Sequence, residues 1–462
     1  MNDRRIDDLV SEAKTLHYSR RQVLRRATAL GLSVPAVSAA LTTSAYAAPG
    51  QVRKFGKAPA QLEGTKLNIL GASYFVPAGQ ERFDAQCQEW GKANGVEVSV
   101  DYIAWPDLQA KIGASIQAQS GPDIIQLWDP WPSLYTENLV DVNDIATPLG
   151  EAAGGFYDWV VKTASVDGAW FSIPYGTSSS AYVYRPSYFA EAGVETFPDT
   201  WEDLFAVGKT LKEMGKPLGQ ALGHSLGDPP SFTYAYMWAY GAMEVEEDGT
   251  TVAFNKPEFV DGMQVFLQGW KDAFDETGLA WDDSANNTAF LADQLSATLN
   301  GSSVYLRAIG PEADGGVPAV AADINHADFP QGPAGRFTNI GSQSWGITTY
   351  SDNIDGAKSF LEYWYSPEQL QSWYEANGGY YIPAAPNYAE LEVFTANPVL
   401  APYLNLVNYG RNRGFAGPSD AKAALAYSKY IIIDTFARAV QDDDAQGAVE
   451  WGANELERIY GE

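Results

Sequence analysis

The sequence predicts an α/β fold in which a mainly parallel sheet is covered by helices. Three observations predict it. Short apolar runs alternate with helical patterns from residue 66 to residue 127, which is the spacing of strand–helix–strand units. Hydrophobic residues make up 45% of the chain and aromatic residues 13%, enough to fill complete cores. The chain has 462 residues, and the stretch beyond its N-terminal leader is long enough for two to three domains or two large lobes.

The first 47 residues read as a targeting segment. Arg20-Arg21 and Arg25-Arg26 form a basic region, Ala27–Leu41 is small and apolar, and Ala45-Tyr46-Ala47 has the form of an A-x-A cleavage site. The paired arginines after Ser19 resemble the twin-arginine form of an export signal, with Val23 where an aromatic residue is commoner. The apolar run is too short, and too rich in Ala, Ser and Thr, to span a membrane. No later uncharged run has spanning length. A disordered basic arm would need neither the apolar run nor the cleavage site. Residues 48–64, rich in Pro, Gly, Ala and Gln, read as a flexible leader.

Beyond the leader, Lys66–Leu70 reads as a strand running into the loop 71–75. Residues 78–94 carry a helical pattern that puts Phe83, Cys87 and Trp90 on one face. Val96–Ile103 is a second strand, 106–119 a helix halted by Gly121-Pro122, and Asp123–Leu127 a third strand. Ligands of such sheets sit beyond the carboxyl ends of strands, which singles out the loops 71–75 and 128–132. Ala181–Tyr184 is a further strand. Thr200 can cap a helix, with Asp203 three residues on. Glu247–Thr250 between Val245 and Val252 reads as a hairpin turn. Residues 257–277 and 284–296 read as helices, Trp345–Thr349 as a strand, and 355–364 and 367–376 as helices, the second ended by Gly378-Gly379. The last 45 residues look helical.

Charge and composition exclude several functions. The formal net charge is -28, and without residues 1–47 the chain keeps 23 basic against 54 acidic residues. Such a surface repels phosphate backbones, which argues against nucleic acid or an anionic membrane as partner. Cys87 is the only cysteine, so no intramolecular disulfide can form. His224 and His326 are far apart and lie in no metal-binding motif, so neither a metal nor another cofactor is expected. Gly208-Lys209-Thr210 is no phosphate loop, because Asp203 stands where the motif needs its first glycine. No Ser-His or Cys-His set is evident, so the chain is not expected to be an enzyme. An exported carbohydrate-active enzyme, which would need paired carboxylates across a sugar bond, is the alternative of a different class.

Four ordered stretches carry a specific resemblance. They are Gly121-Pro122-Asp123-Ile124-Ile125 with Leu139–Val142; Ser172–Tyr175 through Tyr182–Arg185 to Pro198–Leu204; Phe290–Gly301; and Trp345-Gly346-Ile347 through Ala357–Trp364 and Ser366-Pro367-Glu368 to Ile382-Pro383. The chain thereby resembles the extracellular solute-binding proteins of ABC importers, family 1, in the branch for sugars, oligosaccharides and polyols. The likeness spans about residues 65–440. Three positions depart from the family's pattern: Arg185 where Asn is usual, Asp293 where Gly is usual and Thr298 where Met is usual.

The resemblance implies a two-lobe periplasmic-binding-protein fold with three chain crossings forming a hinge, near 174–179, 337–343 and 366–372. Lobe 1 would be 65–174 plus 343–368, and lobe 2 would be 178–338 plus 372–462. A solute would be captured in the cleft and delivered to a membrane permease driven by a separate ATPase subunit. The protein would be a monomer in the periplasm. The cleavage site lacks a cysteine, which argues against a lipid anchor. The same fold binding a polyamine or an organic acid is the alternative within the family.

Sugars offer an apolar face for aromatic rings and a rim of hydroxyls for polar groups. Trp128, Asp129 and Trp131 follow the strand at 123–127, and Tyr74 follows the first strand, so these residues are candidates for the solute site. Tyr175 lies at the first crossing. Asn300 and Gly301 match the family's cleft segment, and Trp345 a position that often faces the solute. Tyr380 and Tyr381 follow Gly378-Gly379, where backbone can approach closely. Trp238 and Tyr240, in an aromatic-rich stretch, complete the set. Trp105 is expected in the core. Arg411 and Arg413 are expected to make salt bridges, with a carboxylate or hydroxyl pair as their alternative ligand.

Overall fold

The computed structural model describes residues 62–178 and 180–461. The expected signal and most of the leader, residues 1–61, lie outside the described residues. The residues just before 65 already pack on the fold: Leu62 is buried, and Gly64 donates its N–H to the Gly95 carbonyl at 2.8 Å.

The first strands form as the alternation predicts. β1 (Lys66–Ala72) pairs in parallel with β2 (Glu97–Ile103) and β3 (Ile124–Trp128). The helices Pro77–Asn94 and Trp105–Ala118 make the two crossovers that parallel pairing requires. Each has proline in its first turn, where the missing N–H costs no hydrogen bond. Every residue of β3 is buried, and its one polar member is satisfied: Gln126 Oε1 accepts from the Ala72 N–H at 2.7 Å.

After a small hairpin of β4 (Ser165–Val166) and β5 (Ala169–Trp170), β6 (Ile173–Ser178) returns to the same sheet. The chain then leaves it. β7 (Ala181–Tyr184), β8 (Leu218–Gly219), β9 (Ala297–Asn300) and β10 (Asn325–Ala327) build a second sheet in the order β10-β7-β9-β8. β11 (Thr338–Asn339) leads back to β12 (Gln343–Ile347) and β13 (Tyr381–Pro383), which complete the first sheet in the order β13-β6-β12-β3-β1-β2. β14 (Gly410–Arg411) pairs with β11.

Both sheets are therefore mixed rather than mainly parallel. β12 is antiparallel to β3 and β6, β13 to β6, and β7 to both β9 and β10. The register gives the reason. Gln343, the first residue of β12, faces Trp128, the last of β3, and Tyr381 faces Ser178. These strands begin at the carboxyl ends of β3 and β6 and so run against them.

The division at 366–372 differs from the expected one. Helix Pro367–Ala376 and β13 belong with the first sheet, whereas the resemblance implies that 372–462 is part of the second lobe. Aromatic packing holds them there. Trp373 stacks on Tyr381 at 4.7 Å and meets Tyr175 and Trp364 edge-on, each at 5.3 Å.

Several local expectations hold. Thr200 Oγ1 accepts from the Asp203 N–H at 3.1 Å and starts the helix Trp201–Glu213, which contains Gly208-Lys209-Thr210. Val245 and Val252 pair across their turn. The C-terminal stretch is helical over Ala421–Ser428, Ile431–Asp442 and Ala445–Tyr460. The helix expected over 284–296 stops at Leu291, because Asp293 takes a left-handed φ of 61° and the chain turns into β9. Around the second sheet, Trp201, Phe232, Tyr236, Phe266 and Trp270 pack into one aromatic core.

Candidate functional site

A cavity of about 650 Å³, counting its mouth, opens where the ends of β1, β2 and β3 face the second sheet. One wall is aromatic. Trp105, the first residue of the helix that follows β2, meets Trp128, at the end of β3, edge to face with ring centroids 4.8 Å apart. Phe75 and Tyr380 add two more rings, 6.3 Å apart. The floor is small and polar, formed by Thr177, Ser178 and Ser180 from the β6–β7 crossing and by Asn339 and Gly341 from the return crossing.

The second sheet and its helices supply an acidic wall. Asp228 opens the helix Asp228–Ala239 and is 6% exposed. Its Oδ2 accepts from Asn286 Nδ2 at 2.8 Å and from Asn300 Nδ2 at 3.3 Å. Asp283 accepts the N–H groups of Gly227 and Asp228 at 3.1 and 2.7 Å, so it caps the start of that helix. Burial raises both carboxyls above the usual range, and the Asp283 charge adds to the effect at Asp228.

Arg413 supplies the positive charge of the lining. Its Nη1 donates to the carbonyl and Oδ2 of Asp129 at 3.0 and 2.8 Å, and its guanidinium lies over the Tyr427 ring at 4.0 Å. Burial pushes the Asp129 carboxyl up to about 7 against the opposing pull of Arg413. Behind it, Glu244 accepts from the Gly414 N–H and the Tyr234 hydroxyl, and burial pushes it also up to about 7.

The structure brings together four of the twelve expected site residues. Trp128, Asn300, Gly301 and Tyr380 line the cavity. Asp129 is sealed from solvent and stands behind Arg413. Trp131 is fully buried in the core. Tyr175 donates its hydroxyl to Gln343 Oε1 at 2.7 Å, inside the first sheet's packing layer. Trp345 stacks on Phe83 at 5.3 Å, on the side of the sheet covered by helix Pro77–Asn94. Tyr381 stacks on Trp373, and Tyr74 packs edge-on against Tyr102 and Trp373 at 6.0 and 6.2 Å. Trp238 is buried beside Tyr234, and Tyr240 donates to Glu202 at 2.6 Å.

Trp105, expected in the core, lines the cavity. The rule that picked the loops after β1 and β3 applies equally to the residue after β2. Phe75 was within the selected loop 71–75. Asp228 and Asp283 gave no such signal. Asp228-Pro229-Pro230 and Asp282-Asp283-Ser284 read as ordinary helix starts, and only the tertiary structure turns them toward one space. Arg413 makes the expected salt bridge and also reaches the cavity.

Among the described residues, no three His, Cys, Asp or Glu side chains converge in a way that could hold a metal ion. No described helix is long and apolar enough to cross a membrane.

Comparisons with known proteins agree with this architecture. The family model for bacterial extracellular solute-binding proteins matches residues 85–402. The erythritol/L-threitol-binding protein of Mycolicibacterium smegmatis is 22% identical over 344 residues, covering 69% of this chain and 70% of its own length. A sugar transporter from Arthrobacter chlorophenolicus with bound laminaribiose superposes with a TM-score of 0.74 at 17% identity, covering 85% of this chain and 99% of that one. An ABC transporter solute-binding protein from Agrobacterium radiobacter in complex with ribitol gives 0.70 at 17% identity, covering 86% and 100%.

Proposed function

Since the chain belongs to the bacterial extracellular solute-binding protein family, we propose that it captures a sugar, oligosaccharide or polyol in the cavity between its two sheets and delivers it to an ABC importer. The carrying observation is the composition of that cavity: an aromatic corner of Trp105 and Trp128 faces the polar groups Asp228, Asn300 and Ser231. Rings pack on the apolar face of a pyranose or on the carbons of a polyol, while carboxylate and amide oxygens accept from its hydroxyls. The relative named for erythritol and L-threitol, and the neighbours holding laminaribiose and ribitol, support the same solute class.

The three crossings would serve as a hinge between two lobes, and solute would select the closed arrangement by binding it better. In this reading the protein is an exported monomer, carried by the twin-arginine route and free in the periplasm. It releases its solute unchanged to a permease whose ATPase is a separate subunit.

A thermal-shift screen over monosaccharides, disaccharides, oligosaccharides, polyols, polyamines and organic acids tests the reading. A ligand at 100 times its dissociation constant adds about 2.7 kcal/mol of stability. The expected result is a shift with one carbohydrate or polyol that is recovered intact. Hits confined to organic acids would refute the solute class, and a consumed ligand would indicate an enzyme.

A further inference from the structure

The charge balance of the cavity carries a narrower conclusion, which rests on the carbohydrate or polyol reading for the rest of the ligand. We propose that the solute carries a protonated amine, seated against Asp228 with Asp283 beside it.

Asp228 is 6% exposed and faces the cavity, and its Oδ2 is occupied by the amides of Asn286 and Asn300. Among the described residues its Oδ1 accepts no hydrogen bond, and neither Asp228 nor Asp283 has an ion-pair partner. Among the described lining residues Arg413 is the one cation, and it is already engaged by Asp129 at 2.8 Å. The cavity therefore presents two carboxyl groups with no free countercharge. Across it stand Trp105, Trp128 and Tyr380, rings whose faces attract cations.

Ligand chemistry follows from this arrangement. An anionic solute would meet like charge. A neutral hydroxyl could occupy Oδ1 but brings no countercharge, so the buried carboxyl would stay in its protonated form. An ammonium group offers up to three N–H donors and a full positive charge, so it satisfies Oδ1 and balances the wall at once. Burial raises both carboxyls, and an ammonium beside them opposes that shift by favouring their charged form.

Matched pairs test the proposal by isothermal titration calorimetry on the purified full chain at neutral pH. The probes are glucosamine against glucose and N-acetylglucosamine, glucamine against glucitol, and the chitosan dimer against its diacetylated form, with putrescine as an amine that has no sugar skeleton. In at least one pair the amine is expected to bind about tenfold or more tighter than its neutral counterpart, the scale of a hydrogen bond to a charged group. Asp228→Asn should erase that preference while the helical circular-dichroism signal is kept. The comparison within each pair needs no variant, so a misfolded Asp228→Asn leaves the test intact. Neutral members binding as tightly as the amines, or alone, would overturn the amine while the carbohydrate reading stands. Putrescine binding without any carbohydrate would sustain the amine and overturn the carbohydrate skeleton. No binding by any probe would overturn both.

Discussion

Arg413 and Asp129 form a buried ion pair, Nη1 to Oδ2 at 2.8 Å, with side chains 2% and 0% exposed. The pair joins the end of β3 to the C-terminal segment across 284 positions of sequence. It fixes in place the one cation among the described residues of the cavity wall, and Tyr427 beneath the guanidinium completes its support.

Breaking that pair from one side should be costly. Arg413→Met leaves Asp129 buried beside no cation, and a loss of about 3–5 kcal/mol is expected. The double variant Asp129→Asn/Arg413→Met should recover most of it, because two neutral groups need no compensation. Urea unfolding of the three proteins checks this, and equal destabilisation of single and double variants would refute it.

Glu244 makes stability depend on pH. Burial holds its carboxyl at about 7, against an ordinary value of 4.5. Between these values the folded state keeps a proton that the unfolded state has lost. Its contribution is therefore fully present below the unfolded value and falls as pH rises, by about 1.4 kcal/mol per pH unit through the middle of the window. His326 works in the opposite sense, since burial lowers it to about 4 and favours folding as pH rises. Glu244→Gln isolates the first effect: the difference from the unmodified protein in unfolding free energy should change with that slope between the two values. A flat difference would refute it.

Two aromatic residues should separate binding from folding. Trp128→Ala removes half of the cavity's aromatic corner, so it should weaken the bound solute by about 0.5–1.5 kcal/mol or more. Trp345→Ala empties a packed position against Phe83 and should cost about 3–5 kcal/mol of stability. Calorimetric affinity and thermal midpoint, measured on both variants, distinguish the two roles.

Arg185 and Asp293 are two of the three departures from the family's sequence pattern, and they meet. Arg185 Nη1 lies 2.5 Å from Asp293 Oδ1, while its Nε reaches Asp323 at 3.1 Å. Asp293 sits at φ 61°, which favours glycine. In a double-mutant cycle, Arg185→Asn and Asp293→Gly should couple by about 0.5–3 kcal/mol. Strict additivity of the two changes in unfolding free energy would mean that the pair carries no joint stabilisation.

Gly176, in the strand entering the first crossing, should not accept a side chain. Its φ is 152°, and an added Cβ would stand 2.2 Å from the Ile382 carbonyl oxygen. Gly176→Ala should therefore lower the thermal midpoint and loosen the β6–β13 pairing, seen as faster amide exchange at Tyr381–Pro383.

Sequence by itself determined what local chemistry determines. Prolines and caps placed helix starts, the apolar alternation placed β1 to β3, and the order of four motifs identified the family. The carboxyl-end rule led to Trp128, and the motif match led to Asn300 and Gly301. Only the tertiary structure decided which face each aromatic residue shows. Trp128 and Trp345 lie on neighbouring strands, yet one lines the cavity and the other stacks on Phe83. It also decided the antiparallel entry of β12 and β13, the attachment of helix Pro367–Ala376 to the first sheet, and the meeting of Asp228, Asp283 and Arg413. The physical reason is the same in each case. Propensity and capping act over a few residues, whereas burial, charge compensation and strand direction depend on segments brought together from hundreds of positions apart.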